Sequence, residues 1–155
     1  MTDNIKINVG VIFGGRSTEH EVSIISAHQA MAALDENKYN AIPLYISKEG
    51  RWYSGDALKK LSGFRDMGRL LSEAFPIEIS VNYGSREIFA RAAGLFKKPW
   101  QQRIDVAFPV VHGTNAEDGS LQGMLEMTGI PYVGPNVLAS AVGMDKIMMK
   151  AALKE

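Results

Sequence analysis

The chain contains no cysteine among its 155 residues, which excludes disulfides, cysteine-ligated zinc and thiol nucleophiles. It has no excess of either charge, since Lys plus Arg and Asp plus Glu each number 17. This balance gives no argument for nucleic acid or an anionic membrane as a partner. No apolar run approaches the roughly 20 residues that span a bilayer, and the amino terminus lacks the pattern of a signal peptide. We therefore expect a cytoplasmic protein with no nucleic-acid and no membrane partner.

Two segments share one design, an apolar strand followed by a glycine-containing turn and a helix. In the first, residues 5–13 predict a buried parallel strand that ends at Gly14 and Gly15. In the second, residues 104–111 predict another core strand, and a polar turn leads from it into a helix. Ligand sites of α/β proteins form at the carboxyl ends of strands and the amino ends of the helices that follow. We therefore predict that the two segments face each other across a binding site.

The remaining pattern is typical of an α/β fold, a Rossmann-like parallel sheet flanked by helices. Residues 39–46 predict a second strand, which completes a βαβ unit with a right-handed crossover. The crossover helix is predicted to begin at a capping box of Thr18 and Glu21. Between residues 47 and 103 we predict three features. They are an edge strand at Trp52, a surface β-hairpin formed by residues 77–81 and 86–90, and a loop at residues 97–100. We interpret this stretch as an insertion without chemistry.

The last part of the chain predicts the start of a second domain. Glycine, proline and asparagine at 134–136 interrupt the pattern and divide the chain into an α/β domain at 1–134 and a further part at 135–155. Asp145 is the predicted N-cap of a helix in this further part. No terminating residue follows in that helix, so we expect it to run to residue 155 and the chain to be cut there.

Three charged residues at the first turn have both structural and functional interpretations. Glu19 lies in the turn, where its carboxylate can face the crevice and accept hydrogen bonds from an ammonium group. Glu21 suits the amino end of a helix electrostatically without any function. The sequence Glu19-His20-Glu21 also matches a metal site, but three scattered histidines and no cysteine argue against zinc. The adjacent glycine pair either cradles an anion or forms a plain tight turn, and both interpretations stay open.

The second segment carries a histidine at the end of its strand. The apolar residues before His112 favour a structural histidine, whereas Gly113, Glu117 and Asp118 after it favour a functional one. A nearby carboxylate holds an imidazole in one tautomer, ready to hydrogen-bond a substrate carboxylate or to share a proton. Asp118 is also the predicted N-cap of the next helix. Lys146 either binds a phosphate or is an ordinary exposed helix lysine.

Four motifs together resemble the D-alanine–D-alanine ligases of the ATP-grasp family. They are VIFGGRSTEHEVS at 11–23, VHGTNAEDGSLQG at 111–123, GIPYVG at 129–134 and MDK at 144–146. The resemblance implies the amino-terminal portion of such a ligase, with a pre-ATP-grasp substrate domain and the first helices of the central domain. It also implies ATP, Mg²⁺ and D-alanine as ligands, a homodimer, and a role in peptidoglycan precursor synthesis.

The resemblance also implies roles for individual residues. Glu19 would bind the ammonium of the first D-alanine, Val22 would pack against that substrate, and His112 would hydrogen-bond near its carboxylate, so that Glu19 and His112 are the candidate catalytic residues. Lys146 would contact the nucleotide phosphates. The residues expected to support the two loops are Gly14, Gly15, Glu117 and Asp118. No metal ligand is expected in this chain, because the family's magnesium carboxylates lie in later domains, and the chain by itself is expected to be inactive.

Two points stay open at this stage. Ala116 stands where the family usually has glycine, which leaves the second substrate undecided among D-alanine, D-lactate and D-serine. The alternative from another class is a non-catalytic α/β module that binds a small ligand or mediates dimerisation. A nicotinamide-dependent enzyme is disfavoured, since the three-glycine dinucleotide fingerprint is missing.

Overall fold

The computed structural model describes residues 5–90 and 100–154. Its strands and helices occur in the order β1 (Ile7–Gly14), α1 (His20–Ala33), β2 (Tyr39–Ile46), β3 (Trp52–Ser54), two 3₁₀ helices (Asp56–Lys59 and Leu61–Arg65), α2 (Met67–Glu73), β4 (Phe75–Pro76), β5 (Glu78–Ile79), β6 (Glu87–Ala90), β7 (Trp100–Arg103), β8 (Val106–Pro109), α3 (Ser120–Thr128), α4 (Val137–Met144) and α5 (Lys146–Ala152). This alternation of strands and helices confirms the α/β class.

The main sheet has five strands in the order β4-β3-β2-β1-β8. Strands β2, β1 and β8 are parallel, which confirms the predicted βαβ unit and brings the two glycine-containing segments to neighbouring strands. Strands β3 and β4 are antiparallel additions, so the sheet is mixed. The prediction of an edge strand at Trp52 is wrong, because Phe75 and Pro76 of β4 pair outside it.

The predicted surface hairpin is part of a second sheet with the order β5-β6-β7. Strands β5 and β6 do pair as an antiparallel hairpin, but β7 adds a third strand. The loop predicted at 97–100 is wrong at Trp100, which begins β7, and residues 97–99 lie outside the described residues. Ile88 of β6 is completely buried, so the hairpin packs into the core instead of decorating the surface.

The core lies on both faces of the main sheet, because successive side chains of a strand point to opposite faces. Ile12 of β1 belongs to the cluster that includes Ile88 of the second sheet and Leu125 of α3. Val11 and Phe13 belong to the other cluster, which is covered by α1 and the two 3₁₀ helices. The central strands are thus buried on both faces, as their near-continuous apolar sequence predicts.

Two predicted helix starts are wrong. Helix α1 has Glu19 at its N-cap without a side-chain cap, and the Glu19 N–H donates to Ser17 Oγ at 2.9 Å, so no Thr18–Glu21 capping box forms. Helix α3 has Gly119 at its N-cap in the left-handed region, so Asp118 precedes the cap position. The predicted N-cap Asp145 is confirmed, since its carboxylate accepts from two N–H groups of α5.

The two short helices after residue 136 have the predicted positions. Helix α4 is capped by the Asn136 side chain, which accepts from the Ala139 N–H. Helix α5 ends at Ala152, so the prediction that it runs to residue 155 is wrong. Between α3 and α4, Tyr132 forms an isolated parallel bridge with Ala107 of β8. Within residues 5–90 and 100–154, no helix has the length and apolar character needed to cross a membrane.

Candidate substrate-binding site

The carboxyl ends of β1 and β8 open onto a cavity of about 650 Å³. Because the two strands are parallel neighbours, the turns that follow them lie side by side at the same edge of the sheet. Both turns line the cavity, together with the β2–β3 turn, through residues that include Arg16, Ser17, Glu19, Lys48, Gly113 and Thr114. The predicted meeting of the two segments is therefore present in the structure.

Glu19 of the first turn lies directly against Gly113 of the second. Gly113 has φ +77°, and a Cβ added there would lie 2.8 Å from Ser17 Oγ and 3.2 Å from Glu19 Oε2. A side chain at Gly113 would thus push the Glu19 carboxylate away. Glycine is needed here for both its backbone conformation and the close approach. The contact puts a negative charge beside the residue that follows His112.

His112 is held between two side chains on opposite edges of its ring. Its Nδ1 lies 3.7 Å from Glu117 Oε1, and its Nε2 lies 3.4 Å from Ser26 Oγ of α1. The half-buried ring also lines a second, more apolar cavity of about 510 Å³ that reaches α4. The arrangement gives one neutral tautomer two suitable neighbours, an acceptor at Nδ1 and a hydroxyl at Nε2.

The loop at 113–118 is held by its own carboxylates. Glu117 Oε2 accepts from the Gly113 N–H at 2.9 Å. Asp118 accepts from the N–H groups of Asn115 at 2.8 Å and Ser120 at 3.0 Å. Partial burial of Asp118 acts to raise its pKa, but these backbone hydrogen bonds outweigh it and the net pKa is lowered. Both side chains therefore fix the path of the backbone that follows His112.

In the first turn, the backbone N–H groups of the glycine pair are used within the protein. The Gly14 N–H donates to Ser23 Oγ and the Gly15 N–H donates to Ile46 O, each at 2.8 Å. Ser23 in turn donates to Val110 O at 2.6 Å, which connects α1 to the end of β8. Neither N–H is free to bind an anion, so of the two open interpretations the structure favours the tight turn.

His20 is a structural residue rather than a metal ligand. It is 3% exposed, and its Nδ1 donates to Gly15 O at 2.7 Å. Its Nε2 then accepts from the Tyr45 hydroxyl at 3.1 Å, and burial raises the pKa of Tyr45 to about 12. Across the described ranges 5–90 and 100–154, no group of three or more His, Asp or Glu side chains is arranged to hold a metal ion.

The segment predicted to carry no chemistry contributes a charged residue to the cavity wall. Lys48, from the β2–β3 turn, donates to Glu21 of α1. This hydrogen bond lowers the pKa of the exposed Glu21 carboxyl. Glu21 thus pairs with a lysine across the cavity, in addition to its favourable position at the amino end of a helix.

The other two predicted site residues lie at different distances from this centre. Val22 is half-exposed on α1, one helical turn after Glu19 and on the same side of the helix. Lys146 is the exposed first residue of α5 and lines neither of the two cavities described above. Val22 also lines neither cavity, so the structure places Glu19 beside Gly113, the neighbour of His112, and leaves Val22 and Lys146 outside both cavity linings.

Comparison with known proteins identifies the family. A family model described as D-ala D-ala ligase N-terminus matches residues 8–135, which contain both turns of the site. The chain belongs to this ligase family. It is 46% identical to the D-alanine–D-alanine ligase of Thermosipho melanesiensis over 149 residues, which are 96% of this chain and 40% of that protein.

Solved structures of D-alanine ligases share the fold. The D-alanine–D-alanine ligase from Coxiella burnetii matches with a TM-score of 0.77 and 39% identity, over 96% of this chain and 40% of that one. The VanG D-Ala:D-Ser ligase from Enterococcus faecalis matches with a TM-score of 0.75 and 35% identity, over 93% and 40%. The chain thus spans about 40% of the length of the curated relatives it matches, at their amino-terminal side.

Several residues of the site were not predicted from the sequence, among them two serines and a lysine. Ser17 and Lys48 line the cavity, and Ser26 contacts His112. Ser26 follows Glu19 by seven residues, or two helical turns, so its place on the same side of α1 was readable from the sequence. No local signal connects Ser26 to a histidine 86 residues away, and none places Lys48 near α1.

Proposed function

We propose that this chain forms the substrate-holding amino-terminal part of an ATP-dependent D-alanine–D-alanine ligase. The observation that carries the proposal is the contact of the two strand-end turns, with Glu19 against Gly113 and His112 next to it. Family membership supplies the reaction class, and the cavity supplies groups of the right charge. The alternative of a binding or dimerisation module without catalysis has no structural observation in its favour over the ligase.

The site has complementary groups for a small zwitterionic amino acid. The Glu19 carboxylate is suited to accept hydrogen bonds from the ammonium of the first D-alanine, and Val22 offers an apolar surface for its methyl group. His112 is suited to hydrogen-bond near the substrate carboxylate, and Glu117 and Asp118 keep its loop in place. In the ligase reaction, this carboxylate takes the γ-phosphoryl group of ATP, and the amine of the second amino acid then displaces phosphate.

The nucleotide and metal belong to the same proposal. Lys146 is suited to contact phosphate oxygens as an exposed point charge at the start of α5. Magnesium, when bound, neutralises charge on the phosphates. We assign no metal ligand to this chain, since its described residues form no suitable cluster. The division into residues 1–134 and 135–155, the homodimer and the cytoplasmic location remain predictions.

The test is phosphate release by the complete gene product with MgATP, comparing D-alanine with L-alanine. We expect release that requires the D enantiomer. Glu19→Gln removes a hydrogen bond between charged groups, so KM for the first D-alanine should rise about 10- to 100-fold while the melting temperature stays unchanged. Glu36→Gln, an exposed glutamate beyond the other end of α1, is the matched control and should leave the kinetics unchanged.

Two results would refute the proposal. Phosphate release that does not depend on D-alanine would remove the ligase assignment and favour the binding module. A large fall in melting temperature for Glu19→Gln with normal kinetics would make Glu19 a structural residue.

Mass analysis of the product formed with D-alanine, D-lactate and D-serine as competing second substrates would identify the preferred one.

A further inference from the structure

The hydroxyl of Ser26 is directed away from its own helix. Serines in helices commonly donate to a carbonyl three or four residues earlier. Ser72 follows this pattern and donates to Arg69 O at 2.7 Å, as Thr128 does to Met124 O at 3.0 Å. Within residues 5–90 and 100–154, the only hydrogen bond of the Ser26 side chain is the one to His112 Nε2 at 3.4 Å. The Ser26 hydroxyl therefore bonds to His112, which follows β8, instead of to a carbonyl of its own helix.

One of the two neighbours of His112 selects the tautomer of the neutral ring. The Glu117 carboxylate can only accept, so the proton belongs on Nδ1, which it faces at 3.7 Å. Nε2 then carries the lone pair, and the Ser26 hydroxyl donates to it. A hydroxyl can also accept, so Ser26 orients the ring, whereas Glu117 selects the tautomer. An alanine offers neither contact, whereas a threonine offers both.

Helix α1 connects this contact to the other half of the site. Glu19 and Ser26 are seven residues apart on one side of the helix, a separation of roughly 10 Å along its axis. Ser23, between them, fastens the helix to the ends of β1 and β8 by one buried and one partly buried hydrogen bond. One rigid element thus presents the Glu19 carboxylate and holds the His112 ring.

We propose that Ser26 is a positioning residue that fixes the ring orientation of His112 relative to Glu19. The contact itself does not depend on the proposed function, whereas its use in binding the substrate carboxylate does. Ser26 touches no reacting atom in this arrangement and acts through His112. Its loss should therefore weaken binding of the first D-alanine without changing the fold.

The contact is tested by ¹⁵N NMR of the histidine rings in the ligand-free complete gene product. The His112 signals are identified by their loss in His112→Gln. We expect the Nδ1–H tautomer, selected by Glu117, in the natural protein, a shifted Nε2 signal in Ser26→Ala from the loss of its hydrogen bond, and recovery of the natural signal in Ser26→Thr. Ser72→Ala is the matched control and should leave the spectrum unchanged. An unchanged His112 spectrum in Ser26→Ala would overturn the proposal.

Kinetics test the use of the contact. Loss of one hydrogen bond of ordinary strength predicts that Ser26→Ala raises KM for the first D-alanine about 2- to 10-fold, with recovery in Ser26→Thr and no change in melting temperature. A normal KM together with a shifted Nε2 signal would overturn the positioning role. If Ser26→Ala shifts the Nε2 signal in a ligand-free protein that shows no D-alanine-dependent turnover, the proposed function is refuted and the Ser26–His112 contact stands.

Discussion

The two turns that form the site are stabilised in different ways. The first turn, between β1 and α1, has local hydrogen bonds within residues 15–20, and it is also fastened through partners distant in sequence: Gly15 bonds to Ile46, and Ser23 of α1 bonds to Val110. In the second turn, between β8 and α3, the partners are neighbours: Glu117 bonds to Gly113, and Asp118 bonds to Asn115. The first turn is therefore fixed by the tertiary structure and the second by its own sequence.

Because of this difference, we expect substitutions in the first turn to change the stability of the domain and those in the second turn to change the geometry of its loop. A change in the first turn disturbs groups buried between two strands and a helix, so its effect should appear in the free energy of unfolding of the whole domain. A change at the loop carboxylates Glu117 and Asp118 of the second turn does not touch the core cluster and should alter mainly the loop that carries His112. The comparison can be tested by substitutions in each turn, which we order by the size of the expected effect.

The largest expected effect is that of Gly14→Ala in the first turn. Gly14 has φ +89°, and an added Cβ would lie 2.2 Å from the backbone oxygen of Ile46. Neither strand can move away without breaking the central pairing of the sheet. We expect a loss of about 3–5 kcal/mol in the free energy of unfolding, from backbone strain and overpacking together. Urea unfolding followed by tryptophan fluorescence measures it.

Gly84→Ala is the control for this prediction. Gly84 has nearly the same backbone angle, φ +79°, but an added Cβ would meet no atom within 4 Å. Gly84→Ala should lower the free energy of unfolding only by the strain of a left-handed alanine, about 1 kcal/mol. If both substitutions cost the same, then the close approach at Gly14 contributes nothing and the first turn is not fixed in the way described.

Ser23→Ala should have the next largest effect. The substitution leaves the buried Gly14 N–H and the partly buried Val110 carbonyl without their hydrogen-bond partner. Each buried group that loses its hydrogen bond destabilises the folded state, so we expect a loss of about 2–3 kcal/mol in the same urea experiment. Ser26→Ala, three residues later on the same helix, should cost less than about 0.5 kcal/mol. Equal losses would contradict the distinct roles of the two serines.

The sequence predicts the central part of the fold well because its signals there are local. The apolar strands at 5–13 and 39–46 and the glycine pair between strand and helix specify a βαβ unit without reference to the rest of the chain. The second sheet was underestimated, since its third strand, Trp100–Arg103, has the sequence WQQR, with no apolar alternation. This strand pairs with β6, and Ile88 of β6 is completely buried, so β6 is part of the core instead of a surface hairpin.

The errors at the helix starts come from competing hydrogen bonds. The spacing of Thr18 and Glu21 fits a capping box. In the structure, however, the Glu19 N–H donates to Ser17 Oγ, and Lys48 donates to the Glu21 carboxylate. The candidate residues Glu19 and His112 could be selected from their positions at a strand end and a helix start. Their supporting contacts to Gly113 and Ser26 cross from one turn to the other, and no local pattern carries that information.

The smallest expected effect is that of Asp118→Asn in the second turn. The pKa of Asp118 is lowered from 3.8 in the folded protein, so its contribution to stability is fully present above about pH 4 and is lost as the pH falls through the folded-state value. Asparagine keeps one acceptor oxygen where aspartate uses two. We expect a loss of about 1 kcal/mol at pH 7, since solvent reaches the side chain and screens its charge.

The pH dependence distinguishes this loop contact from general destabilisation. Natural protein and Asp118→Asn should differ at pH 7, and the difference should vanish as the pH falls through the folded-state pKa of the Asp118 carboxyl, which is lowered from 3.8. Asp56→Asn, which changes a carboxylate 92% exposed in a 3₁₀ helix, is the control and should show almost no difference at pH 7 or in acid. A difference for Asp118→Asn that persists unchanged in acid would mean that the shape of the side chain, not its charge, holds the second turn, and the two turns would then differ less than their hydrogen bonds indicate.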